Sequence, residues 1–290
     1  MKNLFFAFLA MLLFASQLNA GGPWPTGKGK AYIKLSEWWT VFDEHFTDLG
    51  RIDPNTTSAI YNTFIYTEYG LTDRFTAIAN VPLVSRSLIN NVRSLTTNDI
   101  IFNGDAITSF GDVELGLKYN LSKYGAKIPI AVTLTLGIPT GQSIGGELNN
   151  LQTGDGEFNQ ILTVDAGTGF NIGDNVSGYV SGVIGINNRS QGFSEEFRYG
   201  AEVGIGLFNN RFWLSGKLNA IESFKNSDRS MQITSTSIFA NNTEFITLGL
   251  EANVYVTEKF GVSAGFANVT RGEIIAAAPA YNVGVFLDIK

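Results

Sequence analysis

The chain has 290 residues, of which 16% are charged and 12% are aromatic, and its formal net charge is −6. A mildly acidic chain without a basic cluster is poorly suited to bind nucleic acid. The absence of cysteine excludes disulfides, thiol catalysis, thiolate metal sites and a lipid-modified N-terminal cysteine. Low charge with high aromatic content is typical of proteins whose outer face meets lipid.

Residues 1–20 have the pattern of a secretory signal peptide. Lys2 supplies a positive start, residues 4–15 are apolar, and Leu18-Asn19-Ala20 offers a small-residue cleavage site before Gly21. No other stretch has the ~18 consecutive apolar residues of a membrane-spanning helix. We predict a signal peptide at 1–20, a periplasmic leader at 21–30 and a single domain at 31–290.

Three strands are predicted between residues 31 and 109. The first covers 31–43 and carries Trp38 and Trp39 near its far end, and a polar loop follows to about residue 57. The second covers 58–71, and its many aromatic residues leave its two faces ambiguous. A tight turn leads into the third, at 75–85, and a long Asn- and Thr-rich loop covers 88–109.

The alternation of polar and apolar residues is clearest between residues 111 and 185. Leu115 and Leu117 alternate with Glu114, Gly116 and Lys118, which is the period of a strand with one apolar and one wet face. The predicted strands have roughly ten to fourteen residues, the length that a tilted strand needs to cross a bilayer. They lie at 112–121, 128–138, 158–170 and 176–187, with a polar, Gly-rich loop at 141–156.

Five further strands are predicted at 197–207, 211–224, 244–256, 260–270 and 281–289. Connections after the even-numbered strands are short and those after the odd-numbered ones are longer, as periplasmic turns and extracellular loops are. The sequence therefore predicts an all-β fold, a transmembrane antiparallel up-and-down β-barrel of about twelve strands in the outer membrane of a Gram-negative cell. Closure leaves no strand edge unpaired in lipid.

Three glycine-rich motifs resemble a known family. They are Phe-Gly-Asp-Val-Glu-Leu-Gly-Leu-Lys-Tyr at 110–119, Gly-Ile-Pro-Thr-Gly at 137–141 and Thr-Gly-Asp-Gly at 153–156. The stretch 110–185 is similar to the outer-membrane β-barrel family of transporters of the meta-pathway of phenol degradation. The resemblance implies passage of small, often aromatic or apolar molecules across the outer membrane.

Charged residues on the wet faces of these strands are expected to line the lumen. A lysine or arginine on the lipid face costs roughly 2–4 kcal/mol at the membrane midplane, which favours the inward orientation. Two interpretations stay open: paired charges that brace a narrow barrel, or a selectivity lining for a passing solute. The predicted lumen-lining residues are Glu114, Lys118, Asp165, Glu202, Lys217 and Glu251.

No catalytic, metal or cofactor site is predicted. His45 is the single histidine, and because no serine is marked as its partner, a loop-edge position is favoured over lipid hydrolysis or metal binding. Asp155 lies between two glycines and lacks the spaced oxygen ligands of a calcium loop, so it indicates a turn. Trp38, Trp39 and Trp213 are interpreted as packing residues of the membrane interface or the lumen.

The sequence favours a monomeric channel, without cofactor or enzymatic activity, for passive passage of a small solute, and the resemblance implies that this solute is aromatic or apolar. Its partners would be outer-membrane lipid, the solute and the outer-membrane assembly machinery. Inward side chains and loops such as 88–109 and 225–243 would form the constriction. The alternative is a non-transporting structural or surface-binding barrel whose extracellular loops contact a partner, and a lipid-modifying enzyme would rest on His45 alone.

Overall fold

The computed structural model describes residues 21–94, 96–123, 125–172, 175–227 and 238–290. The predicted signal peptide and most of the predicted inward loop 225–243 lie outside these ranges. Among the described residues, no helix is long and apolar enough to cross a membrane. The strands are β1 (Ala31–Phe46), β2 (Ile52–Gly70), β3 (Phe75–Ile89), β4 (Val92–Arg93), β5 (Ile100–Phe102), β6 (Asp105–Ser109), β7 (Val113–Asn120), β8 (Ile130–Ile138), β9 (Asn159–Ile172), β10 (Val176–Asn188), β11 (Glu196–Leu207), β12 (Phe212–Ser223), β13 (Glu244–Tyr255), β14 (Phe260–Glu273), β15 (Ile275–Ala276) and β16 (Ala280–Ile289).

Twelve long strands in the described part of the chain form one closed antiparallel barrel. Each pairs with its neighbours in chain order, and β1 pairs with both β2 and β16. The closing seam runs from Ala31 opposite Ile289 to Thr40 opposite Ala280. The predicted up-and-down barrel of about twelve strands is confirmed.

The two faces of the barrel wall differ as the alternation predicts. Leu115, Leu117 and Leu134 lie 45–47% exposed on the outside, where lipid replaces water. Aromatic residues mark both edges of this apolar band. Trp39 stacks on Tyr281 near one edge and Phe75 packs on Tyr119 near the other.

The two ends of the barrel carry different connections. At one end, here called the turn end, the strands are joined by the segments 71–74, 121–129, 208–211 and 256–259. Strand β1 begins at this end and strand β16 finishes there. The opposite end, here called the loop end, carries the long segments 90–112, 139–158 and 224–243, together with the shorter connections 47–51, 189–195 and 274–279. In outer-membrane barrels these are the periplasmic and extracellular ends respectively.

The first hairpin differs from the expectation. A polar loop was expected from residue 44 to about 57, but β1 continues to Phe46 and β2 begins at Ile52, with Glu44 opposite Pro54. The polar composition suggested a loop. However, above the membrane a hairpin with two wet faces needs no apolar side, so polar residues there are compatible with a strand.

The most extensive irregularity of the barrel wall is at β3, and single register shifts also occur at Phe42/Glu44 and at Ile246/Thr247. Strand β7 pairs with β3 from Phe75 to Asn80, and the short β6 takes over from Ser85 to Ile89. Pro82 lies in the intervening segment, and because proline has no N–H, it contributes only its carbonyl, which accepts the Gly111 N–H at 3.1 Å. The pairing of β2 with β3 also shifts register here, at Thr63/Phe64.

Candidate functional site: a chamber in the barrel lumen

The lumen encloses a chamber of about 380 Å³. Its volume falls within the range of small-molecule sites, about 300–1,000 Å³. Inward side chains of nearly all barrel strands line it. Thr153 and Asp155 of the loop 139–158 and Phe239 of the loop 224–243 border it at the loop end, and Gly22 of the leader borders it at the turn end.

One side of the chamber is apolar. Trp38 belongs to a buried cluster with Phe42, Ile60 and Ala267, against which Phe64 and Phe239 pack. Ile78 and Ile161 also line the chamber. This cluster narrows the loop end of the lumen on the side of β1, β2 and β14, so a solute entering there would meet aromatic and aliphatic carbon.

A row of polar groups crosses the same wall. Asn62 and Asn282 are the cross-strand neighbours of Trp38 on either side, and Ser85 is the neighbour of Asn62. The Trp38 Nε1, Asn62 Oδ1, Asn282 Oδ1 and Ser85 Oγ atoms are buried without a hydrogen-bond partner among the described residues. An unpaired buried polar group costs roughly 1–3 kcal/mol, so this row favours a guest that can accept or donate a hydrogen bond.

A chain of charges spans the lumen below this wall. Lys34 Nζ lies 2.8 Å from Glu251 Oε1, and Lys217 Nζ lies 3.2 Å from Glu251 Oε2 and 3.9 Å from Glu202 Oε1. Lys34 is on β1 whereas Glu251 is on β13, so the ion pair crosses β14 and β16. Tyr179 donates its hydroxyl proton to Glu202 and extends the chain to β10.

A second charged group lies towards the turn end. Lys118 Nζ is 3.5 Å from Glu68 Oε2, and both side chains are buried. Asp165 lines the same part of the lumen, is 6% exposed and accepts a hydrogen bond from Thr163 Oγ1 at 3.3 Å.

The leader enters the barrel from the turn end. The Gly29 N–H donates to the Gly70 carbonyl at the rim, while Pro23 is fully buried. Asn120 Nδ2 donates to the Pro23 carbonyl at 2.5 Å, and the Trp24 ring meets Tyr179 edge-on at 5.5 Å. The leader therefore contacts opposite walls of the barrel and restricts the chamber on this side.

Five of the six residues predicted to line the lumen border the chamber: Glu114, Lys118, Asp165, Lys217 and Glu251. The sixth, Glu202, does not border it, and its Oε1 atom lies 3.9 Å from Lys217 Nζ. Glu114 accepts a hydrogen bond from Asn80 Nδ2 at 3.2 Å. Their part in solute passage remains a prediction.

Sequence reasoning missed several residues that share this site. Lys34 lies between Tyr32 and Ser36, and these residues take every second position of β1. This period of two could have placed Lys34 on the inner face. Glu68 was missed because the faces of β2 were ambiguous. The lumenal position of the leader leaves no periodic signal, since residues 21–30 form no strand.

A polar network joins the loops at the loop end. Asp112 accepts the N–H groups of Gly141 and Asp155, each at 2.8 Å. Asp155 also accepts from Arg189 Nη2 at 3.1 Å, and Arg189 Nη1 donates to Glu196 at 3.0 Å. Asp155 lies in the loop 139–158, and its contact with Arg189 links that loop to the end of β10 and the start of β11.

Two carboxyls of this network have raised pKa values. Glu157 is 1% exposed and accepts a hydrogen bond from Ser190 Oγ at 3.0 Å, and burial raises its pKa to about 7. Burial likewise raises the pKa of Asp112, although the backbone N–H group of Gly141 acts in the opposite direction. Both carboxyls lie in loops outside the membrane-spanning strands.

His45 lies near the loop end of β1, opposite Asp53 on β2 and Ala276 on β15. Its Nδ1 atom is buried without a partner among the described residues. The described parts of the chain contain no group of three or more His, Asp or Glu side chains that could hold a metal ion.

No family model matches the chain, and no curated protein matches it. Solved structures match its architecture. The COG4313 outer membrane channel from Pseudomonas putida F1 has a TM-score of 0.62 at 13% identity, over 94% of this chain and 100% of that chain. The fold is that of an outer-membrane β-barrel. The KdgM and NanC porins each have a TM-score of 0.48, at 9% and 7% identity, over 89% of this chain and 99% of theirs.

Proposed function

We propose that this protein is an outer-membrane channel for passive passage of a small aromatic or apolar solute that carries one or two polar groups. The observation that carries the proposal is the chamber itself, which places the apolar wall around Trp38 beside a row of unpaired hydrogen-bonding atoms. A site of this kind fits a guest that is mostly carbon with a small polar group. No cofactor and no catalytic group has a part in this function.

The charges favour weak rather than tight retention of such a guest. Lys34, Lys217, Glu202 and Glu251 already satisfy one another, so they offer no unpaired ion to a solute. Passage requires binding that is favourable enough to enter and weak enough to leave. The six predicted lumen residues then act mainly as a brace that keeps the lumen narrow, and they influence selectivity through its width.

The proposal can be tested with the mature chain refolded into a planar bilayer. We expect steady single-channel conductance that small aromatic alcohols and acids block at millimolar concentration. Trp38→Ala should weaken the block, whereas Trp39→Ala, the adjacent residue on the lipid face, should leave it unchanged. Equal block in both variants would show that the chamber does not bind the solute, and a silent barrel would refute the channel.

A second function has one observation in its favour. Leu49, Ile101 and Ile144 are 71%, 69% and 64% exposed on loops at the extracellular end, outside the lipid band. Exposed apolar residues on loops suit contact with a partner. A non-transporting, surface-binding barrel would lose partner binding when the loop 139–158 is shortened, with permeability unchanged.

We further propose that the barrel acts as a monomer, surrounded by outer-membrane lipid, after insertion by the assembly machinery. Its outer face carries apolar side chains around the wall, and the seam between β1 and β16 closes the ring of long strands, so none of these long strands offers an edge within the membrane to a second copy. Cross-linking in native membranes that yields a ladder of homo-oligomers would contradict this.

A further inference from the structure

The charged group of Glu68, Asp165 and Lys118 has one positive charge fewer than it has negative charges. Glu68 and Asp165 are 5% and 6% exposed, and Lys118, at 2% exposed, is the single cation within ion-pair distance of Glu68 among the described residues. This part of the lumen therefore holds two buried carboxylates and one ammonium group. An unpaired buried charge is costly, so a second positive group would stabilise this part of the lumen.

The backbone of Gly21 lies at this position. A methyl group on its Cα would lie 1.9 Å from Glu68 Oε1 and 2.9 Å from Lys118 Nζ. The Gly21 nitrogen is about 2.5 Å from that methyl position by standard backbone geometry, which places it within about 4.5 Å of the carboxylate. Gly21 has φ +116°, a conformation open to glycine and strained for other residues.

The residues that follow hold Gly21 in this position. Lys118 Nζ donates to the Gly22 carbonyl at 3.1 Å, and Thr26 Oγ1 donates to Glu68 Oε2 at 2.8 Å. Asn120 holds the Pro23 carbonyl. The start of the leader is thus fixed by three lumen residues, two of which belong to the charged group.

We propose that cleavage after Ala20 creates the missing cation. Hydrolysis of the Ala20–Gly21 peptide bond by a signal peptidase leaves a carboxylate on Ala20 and an α-ammonium group on Gly21. That ammonium pairs with Glu68 inside the barrel, so Glu68 and Asp165 are balanced by Lys118 and the new N-terminus. Before cleavage the same nitrogen is an uncharged amide, and therefore export processing both trims the chain and completes the lumen. The inference does not depend on which solute passes.

The first test is the N-terminus of the protein isolated from outer membranes. Mass spectrometry should find that the chain begins Gly21-Gly22-Pro23. A mature N-terminus at any other residue would overturn the proposal.

The second test is the chemical reactivity of that N-terminus in the folded barrel. The mature chain is treated with an acetylating reagent at several pH values, and acetylation of the N-terminal peptide is followed by mass spectrometry. An ammonium paired with a carboxylate loses its proton less readily, so Glu68→Gln should increase the labelling rate near neutral pH about tenfold, which corresponds to one pKa unit. Glu114→Gln, a lumen carboxylate held by Asn80, is the matched control and should leave the rate unchanged.

A mature chain that begins at Ala20 instead of Gly21 provides an independent test of the ion pair. The extra residue moves the ammonium away from Glu68, and its labelling rate should match that of the Glu68→Gln variant without any change to the lumen wall. Equal rates in wild type, Glu68→Gln and the extended chain would overturn the ion pair. Acetylation of the exposed Lys28, measured in the same digest, corrects for differences in reagent concentration between samples.

Discussion

The raised pKa of Glu157 makes the loop end of the barrel sensitive to pH. Burial raises this pKa from 4.5 to about 7, so the folded loop network favours the protonated carboxyl. The folded state then binds more protons than the opened state between these two values, and the stability of the network falls as the pH rises through this window. Over the whole window this corresponds to at most roughly 3–4 kcal/mol, or about three-hundredfold in the opening equilibrium, and the range from pH 5 to pH 8 covers about a hundredfold of it.

Hydrogen exchange can measure this opening directly. The Phe158 N–H donates to Ser190 Oγ, which in turn donates to Glu157, so its protection reports on the network. After correction for intrinsic exchange, protection should be up to about a hundredfold greater at pH 5 than at pH 8. Glu157→Gln should reduce that dependence while keeping the fold, and the part that remains comes from Asp112, whose pKa is also raised. Protection that is independent of pH in the wild type, or equally dependent in the variant, would refute the reasoning.

Three further predictions concern the lumen and the loops. Lys217→Met should lower the free energy of unfolding by roughly 3–5 kcal/mol, because Glu202 and Glu251 stay buried without their lysine partner. The side chain of Lys290 is 65% exposed, so Lys290→Met should change this free energy little. Urea titration of the detergent-folded barrel compares the two, and equal midpoints would contradict the buried pairing. Phe286→Ala should cost roughly 3–5 kcal/mol in the same titration, since this residue is 2% exposed and packs on two tyrosine rings. Asp112→Ala frees two backbone N–H groups of the loop 139–158, so proteolysis of this loop on intact cells should become faster. Asp99→Ala, on an exposed loop, is the control. An unchanged cleavage rate would show that other contacts hold the loop 139–158.

Strand periodicity predicted most of the barrel. Wherever one face meets lipid, alternation is imposed at every step, and β7 to β14 could be located within a few residues. The first hairpin was harder because its outer part, Glu44 to Pro54, meets water on both faces and carries no such pattern. Composition there indicates polarity but not conformation.

The lumen was only partly predictable. The side on which Glu202 and Lys217 lie followed from alternation, and pairing of opposite charges was one of the two interpretations considered. The contact between Lys34 and Glu251 joins residues from opposite ends of the chain, and no local pattern encodes it. The network of Asp112, Asp155 and Arg189 was missed for the same reason, since it depends on how separate loops meet.

The seam between β1 and β16 sets an order of events during assembly. Its partners are the first and last strands, so the cylinder cannot close until the C-terminal strand has arrived, and this high contact order predicts slow closure. The leader is continuous with β1 and ends up inside the finished cylinder. If it occupies the interior first, the sheet can wrap around it and it serves as an internal template. Changes at Pro23 or Asn120 should therefore slow insertion as well as widen the lumen, because a misplaced leader must thread back through the turn end.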